Sequence, residues 1–191
     1  MIRGIYRSAA AAGLAIAFAT AAFAGPIADK AGEAEGLIGT GDAAGALGAF
    51  DAATEAFWEA LPLQLRGAAL ADSISGFANF AARPDGTPFH AGDTVQIYLE
   101  PVGYGFADEG GGTRVSLSVG TEIRQGDIVL GKTDDFGKFN WQGTGKNYAI
   151  NAAISMTLPE LKPGDYVLLL TVKDDTSGKS ATATLPFSIV E

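Results

Sequence analysis

A short helical hairpin followed by an antiparallel β-sandwich is the architecture that this chain of 191 residues predicts, so its class is mainly β with an N-terminal helical part. Two observations carry that reading. Up to about residue 75 the chain is Ala-rich and Glu-containing, with no strand alternation. Beyond it come short segments of period two separated by glycine turns, the pattern of half-buried strands. A third observation, the order of the first 24 residues, marks off a removable leader ahead of both parts.

In that leader Arg3 and Arg7 precede an uncharged, largely apolar run from Ala9 to Phe23, closed by Ala22-Phe23-Ala24 and then Gly25-Pro26. Basic, apolar and small residues in that order are those of a secretory signal peptide cleaved after Ala24. A membrane-spanning helix would need about 20 apolar residues, and this run is shorter. The expected location is the periplasm or the exterior of a bacterial envelope. With no cysteine anywhere, neither a lipidated cysteine nor a disulfide is available, and the core alone must hold the fold. Removing 24 of 191 residues leaves 167, enough for the task, since chains of about 150 residues bury roughly 68–70% of their unfolded surface.

Without Arg3 and Arg7 the 13 basic residues become 11, against 22 acids, a net charge of −11. Nucleic acid is not an expected partner, because phosphate contacts require clustered Lys and Arg and here they are scattered. The acid pairs Asp108-Glu109, Asp134-Asp135 and Asp174-Asp175 read as solvated turns rather than cation sites.

The helical part is expected over 25–75. Ile27 to Ile38 forms one helix, with Ala31, Ala34, Leu37 and Ile38 near one face. Gly39-Thr40-Gly41 ends it, and Asp42 is placed to cap a second helix from Ala43 to about Leu61. The expected buried stripe of that helix is Ala46, Leu47, Phe50, Ala53, Phe57 and Leu61. Pro62 then breaks the chain, and a short third helix is expected over Gln64 to Ser73.

Leu37, Gly41, Ala46, Phe50 and Ala53 stand at the spacing of the contact residues in a tetratricopeptide repeat, which this hairpin resembles over about 30 residues. Lys30 stands where that repeat usually has tryptophan, and the closing proline comes late, at Pro62. A single repeat cannot stack a solenoid, so the resemblance implies one hairpin capping something else. An ordinary Ala-rich hairpin accounts for the same residues.

The second part, 76–191, is expected to hold seven strands. They are Gly76 to Ala82; the alternations around Val95, Ile97 and Leu99 and around Val115, Leu117 and Val119; a short strand Asp127 to Gly131; and the sets Tyr148 to Met156, Tyr166 to Val172 and Leu185 to Ile189. No connection between them reads as a helix, so the strands pair antiparallel in two layers. Leu161-Lys162-Pro163-Gly164-Asp165-Tyr166 and the alternation after it resemble the corner of immunoglobulin-like and fibronectin type III-like domains. The resemblance implies that Tyr166 is structural, its hydroxyl bonding back to upstream backbone. The hallmark cysteine pair is missing, and no functional residue transfers.

Catalytic sets fail by elimination. His90 is the one histidine, so a Ser-His-acid triad would rest on it alone, and its setting, Phe89 to Asp93, reads as a strand-entry turn with an exposed or capping imidazole. Zinc sites need several such ligands. Neither Gly145-Lys146 nor Gly178-Lys179-Ser180 completes a phosphate loop, and Gly103-Tyr104-Gly105 opens no helix. A paired-carboxylate glycosidase needs two acids across a cleft, whereas only Glu100, at a strand end, stands apart from the turns, and it reads as a solvated rim residue. The expectation is a protein that is not an enzyme and has no cofactor and no metal.

Aromatic residues are more informative. With Val95, Ile97 and Leu99 facing inward, Tyr98 is expected on the outer face, and Tyr104, Phe106 and Trp141 fall in glycine-bearing segments. Exposed together they would form a contact surface; packed beneath the hairpin they would be core. The leading expectation is a non-enzymatic envelope module that docks another protein through Tyr98, Tyr104, Phe106 and Trp141. The alternative is carbohydrate binding, with Trp141 or Tyr104 stacking on sugar rings.

Overall fold

The computed structural model describes residues 25–191, so the expected signal peptide, residues 1–24, lies outside the described residues. Two helices come first, α1 (Pro26–Gly39) and α2 (Ala43–Ala60). The strands follow: β1 (Gln64–Gly76), β2 (Asn79–Ala82), β3 (Phe89–His90), β4 (Thr94–Val102), β5 (Ala107–Glu109), β6 (Gly112–Gln125), β7 (Ile128–Gly143), β8 (Ala152–Thr157), β9 (Gly164–Asp174) and β10 (Ser180–Val190). The protein is mainly β with two N-terminal helices, and the strands among the described residues number ten rather than the expected seven.

Pro26 opens α1 at a position whose N–H would be unpaired in any case. Asp42 caps α2 as expected, accepting the Gly45 backbone N–H at 2.9 Å, after a turn in which Gly41 takes φ +83°. The contact between the helices is made of alanine: Ala34 on α1 and Ala46, Ala49 and Ala53 on α2 are buried. Here the expected stripe is corrected. Leu47, Phe50 and Phe57 are 64%, 58% and 49% exposed. Ala46, Ala49 and Ala53 recur at three and four residues and form a stripe of their own, so the larger side chains fall beside the helix contact rather than in it.

The first sheet has the order β2-β1-β4-β8. The second runs β3-β10-β9-β6, with β7 on the far side of β6 and β5 beside the start of β6. All pairings are antiparallel except β3 with β10. Ile97, Leu99 and Ile154 of the first sheet share one core with Leu117, Leu168 and Leu170 of the second. Tyr166, at the start of β9, donates its hydroxyl proton to the Lys162 carbonyl at 2.6 Å, the backward bond expected of that corner.

The expected third helix is strand β1, paired with both β2 and β4. Its alternation is broken by a register shift between Arg66 and Ala69, where Gly67 takes φ +71°, and its alanines favour helix only as an isolated preference. The sheet therefore begins at Gln64, and the expected strand 76–82 is split by a turn at Phe77-Ala78 into the end of β1 and β2. Likewise, the short strand expected at 127–131 is the start of the 16-residue β7, whose Gly131, Asp134, Asp135 and Gly137 hide its length. Residues 134–136 bulge out of its pairing with β6.

Candidate functional site

The hairpin is fastened to the two-sheet body by the last turns of α2. Trp58 lies edge-on to Tyr104 and Tyr148, with ring centroids 5.0 and 4.8 Å away, and its indole N–H donates to the Tyr104 carbonyl at 2.7 Å. Phe106 closes the cluster, 5.4 Å from both tyrosine rings. The Tyr104 hydroxyl in turn donates to the Asn147 carbonyl at 2.5 Å. The polar tips of Trp58 and Tyr104 are thus spent inside a cluster that is otherwise apolar.

A second fastening is a set of charge-assisted hydrogen bonds. Lys179, in the turn before β10, donates to the carbonyls of Glu59, Leu61 and Gly103 at 3.1, 2.7 and 3.0 Å. The Glu59 carbonyl is among the last of α2, where helix carbonyls lack partners and the helix dipole is negative, so a cation there does both jobs. Gly103 is required at this joint: it takes φ +80°, and a Cβ would stand 2.5 Å from the Pro62 carbonyl oxygen. Lys146 pairs with Glu55 one turn earlier.

This arrangement corrects the expectation of an open aromatic surface. Tyr104 is buried at 1% exposure, and Phe106 and Trp141 are half-buried. Tyr98 sits on the face of β4 opposite Ile97 and Leu99, as expected, yet it is wholly covered. Phe80 of β2 stacks on it with centroids 3.9 Å apart. The overlap is possible because the intervening strand carries Gly67 and Ala69 at that place; Ala69 pairs directly with Tyr98, and a Cβ on Gly67 would reach within 3.5 Å of its ring. Among the described residues no ring contact joins Tyr98 or Trp141 to the Tyr104 cluster.

Glu100 is likewise not a solvated rim residue. It is 8% exposed, accepts the Tyr98 hydroxyl at 2.7 Å and pairs with Arg66 at 2.9 Å. Burial, and then the hydrogen bond to Glu100, raise the Tyr98 hydroxyl above its ordinary value of 10.0. Burial also raises Tyr104 and Tyr148. Asp174 departs from the solvated-turn reading too: fully buried, it accepts the backbone N–H groups of Gly105 at 2.6 Å and Thr176 at 2.9 Å and the Ser177 hydroxyl. These carboxylates pin loops; their oxygens are already engaged. His90 is exposed on its turn, its ring nitrogen 3.6 Å from Asp93.

A cleft of about 540 Å³ opens between β1 and β10, lined by Leu70, Arg83, Tyr166, Leu185 and Phe187 among others. Its one cation is occupied: Arg83 bonds Asp72 and the Pro88 carbonyl and lies 4.0 Å over the Phe89 ring. Among the described residues no three His, Cys, Asp or Glu side chains gather as a metal site, and no helix is long and apolar enough to cross a membrane.

Apolar side chains are open at the start of β7, Ile128, Val129 and Leu130, and on the hairpin. Leu47, Phe50 and Phe57, with Thr54 between them, recur at three, four and three residues along α2 and so share one side of it. Fully burying a side chain of that size is worth about 1.5–3 kcal/mol, and about half or more of each of these three is left in water. Sequence periodicity finds the stripe but not which part of it turns inward; the signal was the choice of alanine at 46, 49 and 53, which suits close helix packing. No protein-family model matches this chain, and no curated protein sequence matches it as a relative.

Proposed function

We propose that this protein is a non-enzymatic interaction module of a bacterial envelope, which docks another protein through the outer face of its helical hairpin. One observation carries the reading: α2 turns its alanines toward α1 and its leucine and phenylalanines toward solvent. An isolated surface leucine is ordinary, whereas a periodic apolar face on a helix held rigidly by Trp58 and Lys179 marks a contact surface. The signal-peptide order of residues 1–24 supports the envelope location. The tetratricopeptide-like spacing of the hairpin and the immunoglobulin-like or fibronectin type III-like corner at Tyr166 support a binding scaffold in which a sandwich presents a helical cap. Tyr98 and Tyr104 are covered and so belong to the scaffold, whereas Phe106 and Trp141 are half-buried. The carbohydrate reading loses Tyr104 as a stacking platform and keeps only the half-buried Trp141.

The test is capture from envelope extract by the wild-type protein and by Phe50→Asp and Phe57→Asp in parallel. Both positions are about half exposed, so the variants keep the circular dichroism of the parent. The reading predicts a protein retained by the parent and lost by both variants. Identical retention by all three would remove the hairpin face from the function.

A further inference from the structure

Resting on that reading, the charge around the open face says what it takes. Residues 25–61 hold seven acids, Asp29, Glu33, Glu35, Asp42, Asp51, Glu55 and Glu59, against the single base Lys30, a net charge of −6. Lys30 is engaged by Glu33 at 2.7 Å, and Glu55 by Lys146. Among the described residues Asp29, Glu35, Asp51 and Glu59 have no cationic partner. Asp51 follows Phe50 directly and stands one turn beyond Leu47, at the border of the apolar stripe.

Geometry narrows the occupant further. Every side-chain hydrogen bond and ion pair from the hairpin to the body is made from Glu55 onward, and the first three turns of α2 make none. Anchors at 47, 50 and 57 span eleven residues, about 16 Å of helix at about 1.5 Å per residue, the reach of three turns of a facing helix. A second copy would bring an equal charge of −6 against this one, so self-association through this face works against its own field.

We propose that the Leu47–Phe50–Phe57 face docks an amphipathic helix of a partner protein whose apolar stripe is flanked by Lys and Arg. The apolar side chains supply the contact, and Asp51 with its acidic neighbours selects basic flanks and rejects acidic ones.

Two synthetic helical peptides with one Leu/Phe stripe test this, one flanked by Lys and Arg and the other by Glu, titrated calorimetrically into the purified protein at low and physiological salt. The basic peptide should bind at least tenfold tighter than its acidic twin and weaken as salt rises. Phe50→Asp should cost at least tenfold, and Asp51→Lys should reduce both affinity and salt dependence. Equal binding of the two peptides, each lost in Phe50→Asp, would overturn the basic-partner claim and leave the docking face standing. Basic-peptide binding indifferent to Phe50→Asp, or no binding of either peptide, would overturn the claim for this face. A dimer in sedimentation that Phe50→Asp dissolves would replace the partner with a second copy.

Discussion

At the scale of single residues, the tyrosines report how completely the scaffold covers its rings. Tyr98, Tyr104 and Tyr148 all have hydroxyls raised above 10.0, chiefly because burial disfavours the phenolate. A raised folded-state value means that their contribution to stability is fully present below about pH 10, where the unfolded chain also holds its protons. It is lost as pH climbs past that point toward the folded values. The tyrosinate absorbance of these three should therefore develop together with the loss of strand circular dichroism in an alkaline titration. Ionisation of Tyr98, Tyr104 and Tyr148 near pH 10 with the dichroism intact would contradict the coverage described for Tyr98 and Tyr104. The face of Tyr98 was legible from its alternation with Ile97 and Leu99. Its coverage was not, because Phe80 reaches it across a neighbouring strand, and only the pairing of β1 with β2 and β4 creates the space. The burial of Glu100 and Asp174 is hidden for the same reason: the donors that let a carboxylate be buried come from distant segments, Arg66 in one case and Gly105 in the other.

Among the elements, those with one uninterrupted period were legible and those with interrupted periods were not. The second helix announced itself through Asp42 and its stripe, and β4, β9 and β10 through clean alternation. The first strand hid behind a bulge at Gly67 and a run of alanines, and β7 behind the bulged Asp134-Asp135-Phe136. On β7, Lys132, Asp134, Asp135 and Lys138 place charge along an outer edge of the second sheet, the usual means of discouraging edge-to-edge pairing. The end of α2 depends on a residue far along the chain. Lys179→Met keeps the aliphatic stem but leaves three carbonyls without their donor. A loss of about 1–3 kcal/mol is expected, with faster hydrogen exchange in α1 and α2 and unchanged exchange in β6 and β9. Unaltered protection of the helices would mean that Lys179 does not hold them.

For the whole molecule, the two parts distinguished by composition are one assembly because of a joint that composition does not display. Trp58, Lys146 and Lys179 are scattered over 122 positions, and none stands out by pattern. Together they set the direction in which the hairpin points, and with it the exposure of Leu47, Phe50 and Phe57. A swinging hairpin would have no fixed face to offer; a pinned one does, so the functional reading stands on this joint. The direct measurement is the fluorescence of Trp58 in a Trp141→Phe background, where it is the one indole left. Held between Tyr104 and Tyr148, it should emit at the short wavelengths of a buried indole and resist quenching by iodide. Emission like that of free tryptophan in water, readily quenched while the strand dichroism persists, would contradict the joint and the docking face that depends on it.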